Sequence, residues 1–342
     1  MKYHLWIIGC QYNEWDGARI RFALDKSGLV ETNPDDADII IILACAVRQT
    51  AVNRIYGKLN NWKNKKVIIT GCVLKQDKKN FESKNAVVIN WEEIEKIAPH
   101  FGLDRKKLKS DLNKGNTNSV YIPITTGCNN FCSYCAVPYT RGREISRDFD
   151  DILREAKELI KKGKKEIVLL GQNVNSYKTD RKVKNKSDFA LLLETLNNIK
   201  GNFKISFISN HPKDMSDDVI RTVATLPKIK KEIHLPLQSG SDKILKAMNR
   251  PYTAKKYMTI VKKLKSEIKN LKLTTDVIVG FPGETEEDFQ KTVDIFKKTK
   301  YYQAYINKYS PRKGTAAFSL GDPISWSEKQ RRWHILNGLI KR

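Results

Sequence analysis

Cys128-Asn129-Asn130-Phe131-Cys132-Ser133-Tyr134-Cys135 is the stretch whose reading decides the fold and the chemistry of this chain. Its cysteines are spaced C-x3-C-x2-C and follow the alternating apolar run Val120-Tyr121-Ile122-Pro123-Ile124, which reads as a strand. Thiolates are soft ligands, and three of them close together suit zinc or an iron–sulfur cluster. Zinc wants four ligands, from two C-x2-C units or from one unit with spaced histidines, and no second unit exists here. Three thiolates on a four-iron cluster leave one iron without a protein ligand, and that iron is a place for chemistry. The alternative, a disulfide with a spare thiol, belongs to oxidising compartments.

Outward from that stretch, the 342 residues suffice for two ordinary domains, or for one barrel with an appendage. Forty per cent hydrophobic and thirty per cent charged residues describe a soluble globular chain. The longest wholly apolar run, Ile39 to Val47, is far too short to span a bilayer. The N-terminus, Met1-Lys2-Tyr3-His4-Leu5-Trp6-Ile7-Ile8-Gly9-Cys10, reads as a first strand and not as a signal peptide, so a cytoplasmic protein with no membrane partner is expected. Lys and Arg number 63 against 38 acids, a formal charge of +25. Such a field favours a polyanion, nucleic acid above all. The bland alternative is a lysine-rich composition covering solvated faces, as over Lys255 to Lys272.

Three further cysteines, Cys10, Cys45 and Cys72, are scattered through the first seventy-two residues, each after an apolar run: Leu5–Gly9, Ile39–Ala44 and Val67–Gly71. Strand ends of a parallel sheet share one edge, where sites are built. The three can therefore converge, or can be independent buried cysteines. Around them, strand 3–9, an amphipathic segment 15–28, strand 38–43, a helix over 46–62, strand 66–70 and a weaker helix over 91–99 predict a small parallel-sheet α/β domain spanning 1–112. Residues 104–119 are polar and read as the linker.

From 113 to 342 the alternation resumes. Strands are expected at 120–125, 166–171, 203–209, 231–235, 272–279 and 302–309, with helices at 149–162, 187–199, 216–225, 241–247 with 253–269, 285–298 and 326–341. Six βα units in a row read as a partial parallel (β/α)6 barrel, whose working residues belong at the C-terminal strand ends. Polar or glycine-bearing loops fall at those ends: Gly171-Gln172-Asn173, Asn210-His211-Pro212, Leu235-Pro236-Leu237-Gln238-Ser239-Gly240, Val279-Gly280-Phe281-Pro282-Gly283-Glu284, and Tyr309-Ser310-Pro311-Arg312. Glycines at 171, 240, 280 and 283 either let backbone approach a ligand or serve turns. His211 is either a ligand contact or a hydrogen-bonded structural histidine, and no Walker A, G-x-S-x-G or H-E-x-x-H motif occurs.

The C-x3-C-x2-C spacing, with Tyr134 before the last cysteine, resembles the signature of radical S-adenosylmethionine (SAM) enzymes. The run continuing through Val137-Pro138-Tyr139-Thr140-Arg141-Gly142-Arg143-Glu144 resembles the methylthiotransferase family, and within it the MiaB-like branch. Gly9-Cys10-Gln11-Tyr12-Asn13, Ala44-Cys45-Ala46-Val47-Arg48 and Thr70-Gly71-Cys72 resemble that family's three N-terminal cysteine motifs, with Ala44 and Tyr12 standing where Thr and Met are usual. The resemblance implies two 4Fe–4S clusters, one on Cys128, Cys132 and Cys135 that binds SAM and one on Cys10, Cys45 and Cys72 that handles sulfur. It implies SAM contacts at Tyr134, Gln172, Asn173, Gln238, Ser239 and Gly280. Arg250 is a partner for the SAM carboxylate or else a solvated arginine. Arg48 and Arg141 are candidate substrate contacts, Arg48 alternatively a helix-surface ion pair.

The activity so implied is transfer of a methylthio group to C2 of N6-isopentenyladenosine 37 in the anticodon stem-loop of tRNA, with an electron donor such as flavodoxin or ferredoxin and a sulfur donor as partners. Relatives of the same family act on threonylcarbamoyladenosine in tRNA or on an aspartate of a ribosomal protein; a non-catalytic iron–sulfur RNA-binding protein is the more remote alternative. The family normally continues into a small RNA-gripping β-barrel, the TRAM domain, whereas this sequence stops at Ile340-Lys341-Arg342, which reads either as a truncation or as a minimal enzyme lacking that domain. RNA affinity is then expected on the basic surfaces of the two domains present.

Overall fold

The computed structural model describes residues 1–90, 93 and 118–340. In chain order the elements are β1 (Lys2–Ile7), α1 (Gln11–Lys26), β2 (Val30–Glu31), β3 (Ile39–Ala44), α2 (Gln49–Asn61), β4 (Lys66–Gly71), α3 (Lys75–Glu82) and β5 (Ala86–Val88). There follow β6 (Ser119–Pro123), β7 (Thr125–Thr126), α4 (Val137–Thr140), β8 (Ile145–Ser146), α5 (Phe149–Lys161), β9 (Glu166–Leu170), α6 (Asp188–Asn197), β10 (Lys204–Phe207) and α7 (Asp217–Thr225). The chain closes with β11 (Glu232–His234), α8 (Asp242–Ala247), α9 (Ala254–Glu267), β12 (Lys272–Val279), α10 (Glu286–Thr299), β13 (Gln303–Lys308) and α11 (Trp326–Gly338). The expected helix over 91–99, most of the linker over 104–119 and the boundary at 112/113 lie outside the described residues.

These residues form two compact units. The first combines the N-terminal part with Cys135–Gly142 and Arg312–Gly314; the second takes the rest. In the first, five parallel strands run in the order β2-β1-β3-β4-β5. Strand β3 is buried at all six positions. Ile40, Ile42 and Ala44 pack with Val52, Ile55 and Leu59 of α2, while Ile39, Ile41 and Leu43 pack with Ile20 and Leu24 of α1. A sheet covered on both faces needs such an unbroken apolar strand at its centre, and that is why Ile39–Ala44 does not alternate.

In the second unit, β6, β9 and β10 pair in parallel, as do β11, β12 and β13. A parallel bridge from Ile205 of β10 to Ile229 links the two sets. The six strands thus follow one another in chain order as the expected open barrel, within a residue or two of the predicted boundaries. One continuous core joins inward strand residues such as Ile122, Leu169, Ile205, Ile233 and Val277 to the apolar faces of α5 to α7, α9 and α10. The short antiparallel pair β7–β8 brackets the cysteine stretch. Among the described residues no helix is long and apolar enough to cross a membrane.

Candidate active site

In the second unit the loop after β7 carries Cys128 and Cys132, both buried; Cys135 opens the segment assigned to the first unit. The loop is pinned from several elements. The Gln172 side chain accepts from the Gly127 N–H at 2.7 Å. Asn249 Nδ2 donates to the carbonyls of Asn130 and Phe131 at 3.2 and 2.9 Å. Ser133 N–H donates to the Met248 carbonyl, and the Ser133 carbonyl accepts from Ala317 N–H at 2.7 Å. Tyr134 packs against a small cluster of Ile244, Met248, Phe281 and Tyr309. Two sulfurs receive N–H donors: Asn130 Nδ2 at 3.4 Å from Cys128 Sγ, and Arg250 Nη1 at 3.4 Å from Cys132 Sγ. Burial pushes the Cys128 thiol above its usual range.

Arg250 is buried, with Nε on the Tyr252 hydroxyl at 2.9 Å and Nη2 on the Pro236 carbonyl at 3.3 Å. It is not the solvated arginine that was the alternative for this position. Around it the C-terminal ends of the strands concentrate unusual backbone and unmet polar atoms. Phe131, Ser209 and Gln238 adopt positive φ without being glycine, a conformation that has to be held by its surroundings. Asn173 Oδ1, Asn210 Oδ1, His211 Nε2 and Gln238 Oε1 are buried and have no hydrogen-bond partner. Buried polar atoms are nearly always paired, so four orphans at the same barrel end fit a polar ligand there. His211 Nδ1 accepts from the Lys213 N–H at 3.2 Å, which places the ring proton on the orphaned Nε2. Burial, with Arg250 and Lys213 nearby, pushes the His211 pKa down to about 2, so the ring is a neutral donor. The sequence leaves His211 open between a ligand contact and a structural histidine and does not single out Asn210 for SAM; the orphaned atoms of both are a tertiary signal.

The remaining expected residues have partners within the protein. Asn173 Nδ2 donates to Asp214 at 2.7 Å. Ser239 is fully buried, and its hydroxyl accepts from the Ser241 N–H at 3.2 Å. The Gly280 N–H donates to Glu284 at 2.6 Å, and a Cβ there would meet the Lys329 side chain at 2.4 Å. At Gly240 a Cβ would strike the backbone of Lys291 and Thr292, so this glycine serves helix packing.

In the first unit the three other cysteines stand where β1, β3 and β4 end. Cys10 is exposed at the start of α1, Cys45 is half-buried and Cys72 is buried. Gly9 has φ +133°, and a Cβ on it would lie 3.1 Å from Cys45 Cβ, so glycine is what brings the Cys10 turn close to Cys45. Burial, and then the neighbouring Cys72 and Cys10, push the Cys45 thiol up to about 11. A metal would reverse that by taking the thiolate directly. Arg48 is exposed at the start of α2.

Arg141, expected on the substrate, is 2 % exposed and engaged here instead. Its Nη2 donates to Asp16 Oδ2 at 2.8 Å and Asn13 Oδ1 at 2.9 Å, its Nε to Cys72 Sγ at 3.2 Å, and its guanidinium lies 4.2 Å from the centroid of the Tyr12 ring. A second buried arginine, Arg312, donates to the Ala46 carbonyl at 2.8 Å and pairs with Gln49 and Asp77. Sequence reasoning left Asp16 and Asp77 unremarked and met Arg312 only as part of the loop after the last barrel strand, since charged residues so far apart carry no spacing signal.

Both donor sets fit iron–sulfur chemistry: three thiols each, at least one buried sulfur taking an N–H, as cluster ligands do. Among the described residues no group of three or more His, Cys, Asp or Glu closes tightly enough for a single ion. A four-iron cluster, with each thiolate on a separate iron, asks for thiols spread more widely.

Residues 122–296 match the model of the radical SAM superfamily, and residues 2–91 match the uncharacterized protein family UPF0004. The chain is 42 % identical to a tRNA-2-methylthio-N(6)-dimethylallyladenosine synthase of Alkaliphilus oremlandii, over 98 % of this chain and 77 % of the relative. It is 40 % identical to the enzyme of that name from Clostridium botulinum, over 96 % and 79 %. Among solved structures it resembles the radical SAM methyltransferase TsrM of Kitasatospora setae at TM-score 0.64 and 12 % identity, covering 93 % of this chain and 77 % of that one. It also resembles the cobalamin-dependent SAM radical enzyme OxsB at TM-score 0.59 and 11 % identity, over 98 % and 56 %. These two likenesses speak to fold alone. Superfamily match and relatives together place the chain: it belongs to the radical SAM superfamily, in the family of the tRNA-2-methylthio-N(6)-dimethylallyladenosine synthases.

Proposed function

We propose that this chain is a tRNA methylthiotransferase that replaces the C2 hydrogen of N6-isopentenyladenosine 37 with a methylthio group. What carries the reading is the 42 % identity to a synthase of that name along 98 % of the chain. Supporting it, cysteines stand at strand ends in both halves of the fold. When bound, a cluster with SAM on Cys128, Cys132 and Cys135 supplies a 5′-deoxyadenosyl radical, and a second cluster on Cys10, Cys45 and Cys72 supplies the sulfur.

The residues around these cysteines bind, orient and exclude water. Gln172 and Asn249 hold the cysteine loop in shape, and Asn130 and Arg250 direct N–H groups at its sulfurs. The buried, unpaired atoms of Asn173, Asn210, His211 and Gln238 offer SAM one donor, His211 Nε2–H, and three amide oxygens as acceptors. Their burial keeps the lumen dry, which protects a radical from side reactions. Exposed Arg48 is positioned for the RNA, whose approach the charge of +25 favours. An electron donor and a sulfur donor complete the reaction. tRNA binding then weakens steeply as salt rises, because phosphate contacts release counterions; salt-insensitive binding would count against the basic-surface reading.

The test is iron and acid-labile sulfide after anaerobic reconstitution. The wild type is expected to hold about eight irons and the Cys128/Cys132/Cys135→Ala variant about four. The Cys10/Cys45/Cys72→Ala variant should cleave SAM without forming the methylthio product on isopentenylated tRNA. About four irons in the wild type, falling to none in the first variant, would remove the sulfur-transfer half of the proposal.

A further inference from the structure

We propose that Arg141 is a positioning residue that sets the reduction potential of the iron–sulfur centre on Cys10, Cys45 and Cys72, with Asp16 as the counter-charge that limits its effect. The inference rests on the reading that these three cysteines hold a cluster. Nothing in the reaction as described requires a buried arginine among them, yet one is there, brought in from 69 residues beyond Cys72.

Its geometry is fixed at every donor it uses. Nε faces Cys72 Sγ at 3.2 Å while Nη2 is held by Asp16 and Asn13. Asn13 is itself locked, donating to the carbonyls of Ile8 at 2.7 Å and Ala44 at 2.9 Å, just ahead of Cys10 and Cys45. The guanidinium is thus tied to the backbone approaching two of the cysteines and to the sulfur of the third. An electron added to a cluster spreads negative charge onto its thiolates. An N–H donor and a positive charge beside one thiolate favour the reduced form and raise the potential. At an exposed site water would screen this, but Arg141 and Asp16 are both buried. The Asp16 carboxylate acts in the opposite sense. The couple is a one-electron exchange with a soluble mediator in which no bond is made or broken.

The two charges therefore predict shifts of opposite sign, which mere damage to the fold would not produce. The Cys128/Cys132/Cys135→Ala background leaves one centre to observe, by potentiometric titration followed by electron paramagnetic resonance. Arg141→Gln is expected to lower the reduced-to-oxidised ratio at fixed potential about tenfold, and Asp16→Asn to raise it about tenfold, each ~59 mV for a one-electron couple. Arg141→Lys, which keeps charge but loses the Nε–H, should fall between wild type and Arg141→Gln. If Arg141→Gln fails to retain iron, Asp16→Asn and Arg141→Lys still give the two signs. Unchanged potentials, or shifts in the same direction, overturn the proposal. A background variant that binds no iron overturns instead the cluster reading on which it stands.

Discussion

Arg141 and Arg250 stand in the same relation to two different sets of cysteines, and the structure balances them differently. Each is buried and each directs one N–H at a cysteine sulfur, Cys72 at 3.2 Å and Cys132 at 3.4 Å. Burial works against both charges; Cys72 and Asp16 raise the pKa of Arg141 above its ordinary value, while Tyr134, Tyr252 and Cys132 do so for Arg250. Arg141 forms an ion pair with Asp16. The other hydrogen-bond acceptors seen for Arg250 are neutral, the Tyr252 hydroxyl and the Pro236 carbonyl. The first arrangement is a compensated dipole beside a sulfur. The second has no carboxylate partner of this kind among the described residues: beside the Cys132 sulfur, Arg250 meets only neutral acceptors at the barrel end.

The largest effect that would break this comparison is on stability. Arg141→Ala strands the buried Asp16 carboxylate and should cost about 3–5 kcal/mol in urea denaturation of the metal-free protein. Adding Asp16→Asn should recover much of that loss, a coupling read from the double-mutant cycle. Arg250→Ala leaves neutral acceptors unpaired and should cost less, about 1–3 kcal/mol. The reverse ranking would show that the charge balance has been misassigned.

A smaller effect concerns His211 beside Arg250. Its folded pKa lies near 2, below the ordinary 6.5, so the unfolded chain binds the extra proton. The stability it contributes is complete above about pH 6.5 and is lost as pH falls toward 2, with a slope approaching ~1.4 kcal/mol per pH unit. Denaturation at a series of pH values should show a shallower slope for His211→Asn; an unchanged slope would mean the ring is not held neutral. Smallest of all, Asn130→Ala removes one hydrogen bond to Cys128 and should cost no more than ~1.5 kcal/mol in the same assay.

Much of this architecture is legible in the sequence, because strands and helices announce themselves by period. The run Ile39–Ala44 and the six barrel strands fall where apolar spacing puts them. Helix α3 escapes notice since Lys75–Glu82 has one apolar residue, Phe81, and so no face to read. The two-residue β2 and three-residue β5 are too short to show a period. The cysteines themselves are legible from spacing and resemblance. What surrounds them is not: Arg141 and Arg250 read locally as charged residues near turns, and charged side chains are rarely buried unless paired. The pairing partner of Arg141 lies 125 residues away and that of Arg312 lies 235 away, so only the folded chain reveals why either can be buried.

Arg312 has a consequence for how the protein is made. Helices α1 and α3 of the N-terminal unit carry the buried Asp16 and Asp77, yet their arginine partners arrive with residues 141 and 312. Domains tend to fold from the N-terminus as the chain leaves the ribosome. Here the first unit to emerge holds Asp16 unanswered until residue 141 has been translated and Asp77 unanswered until residue 312 has been translated. The N-terminal unit, first to be synthesised, is therefore among the last parts of the molecule to be completed.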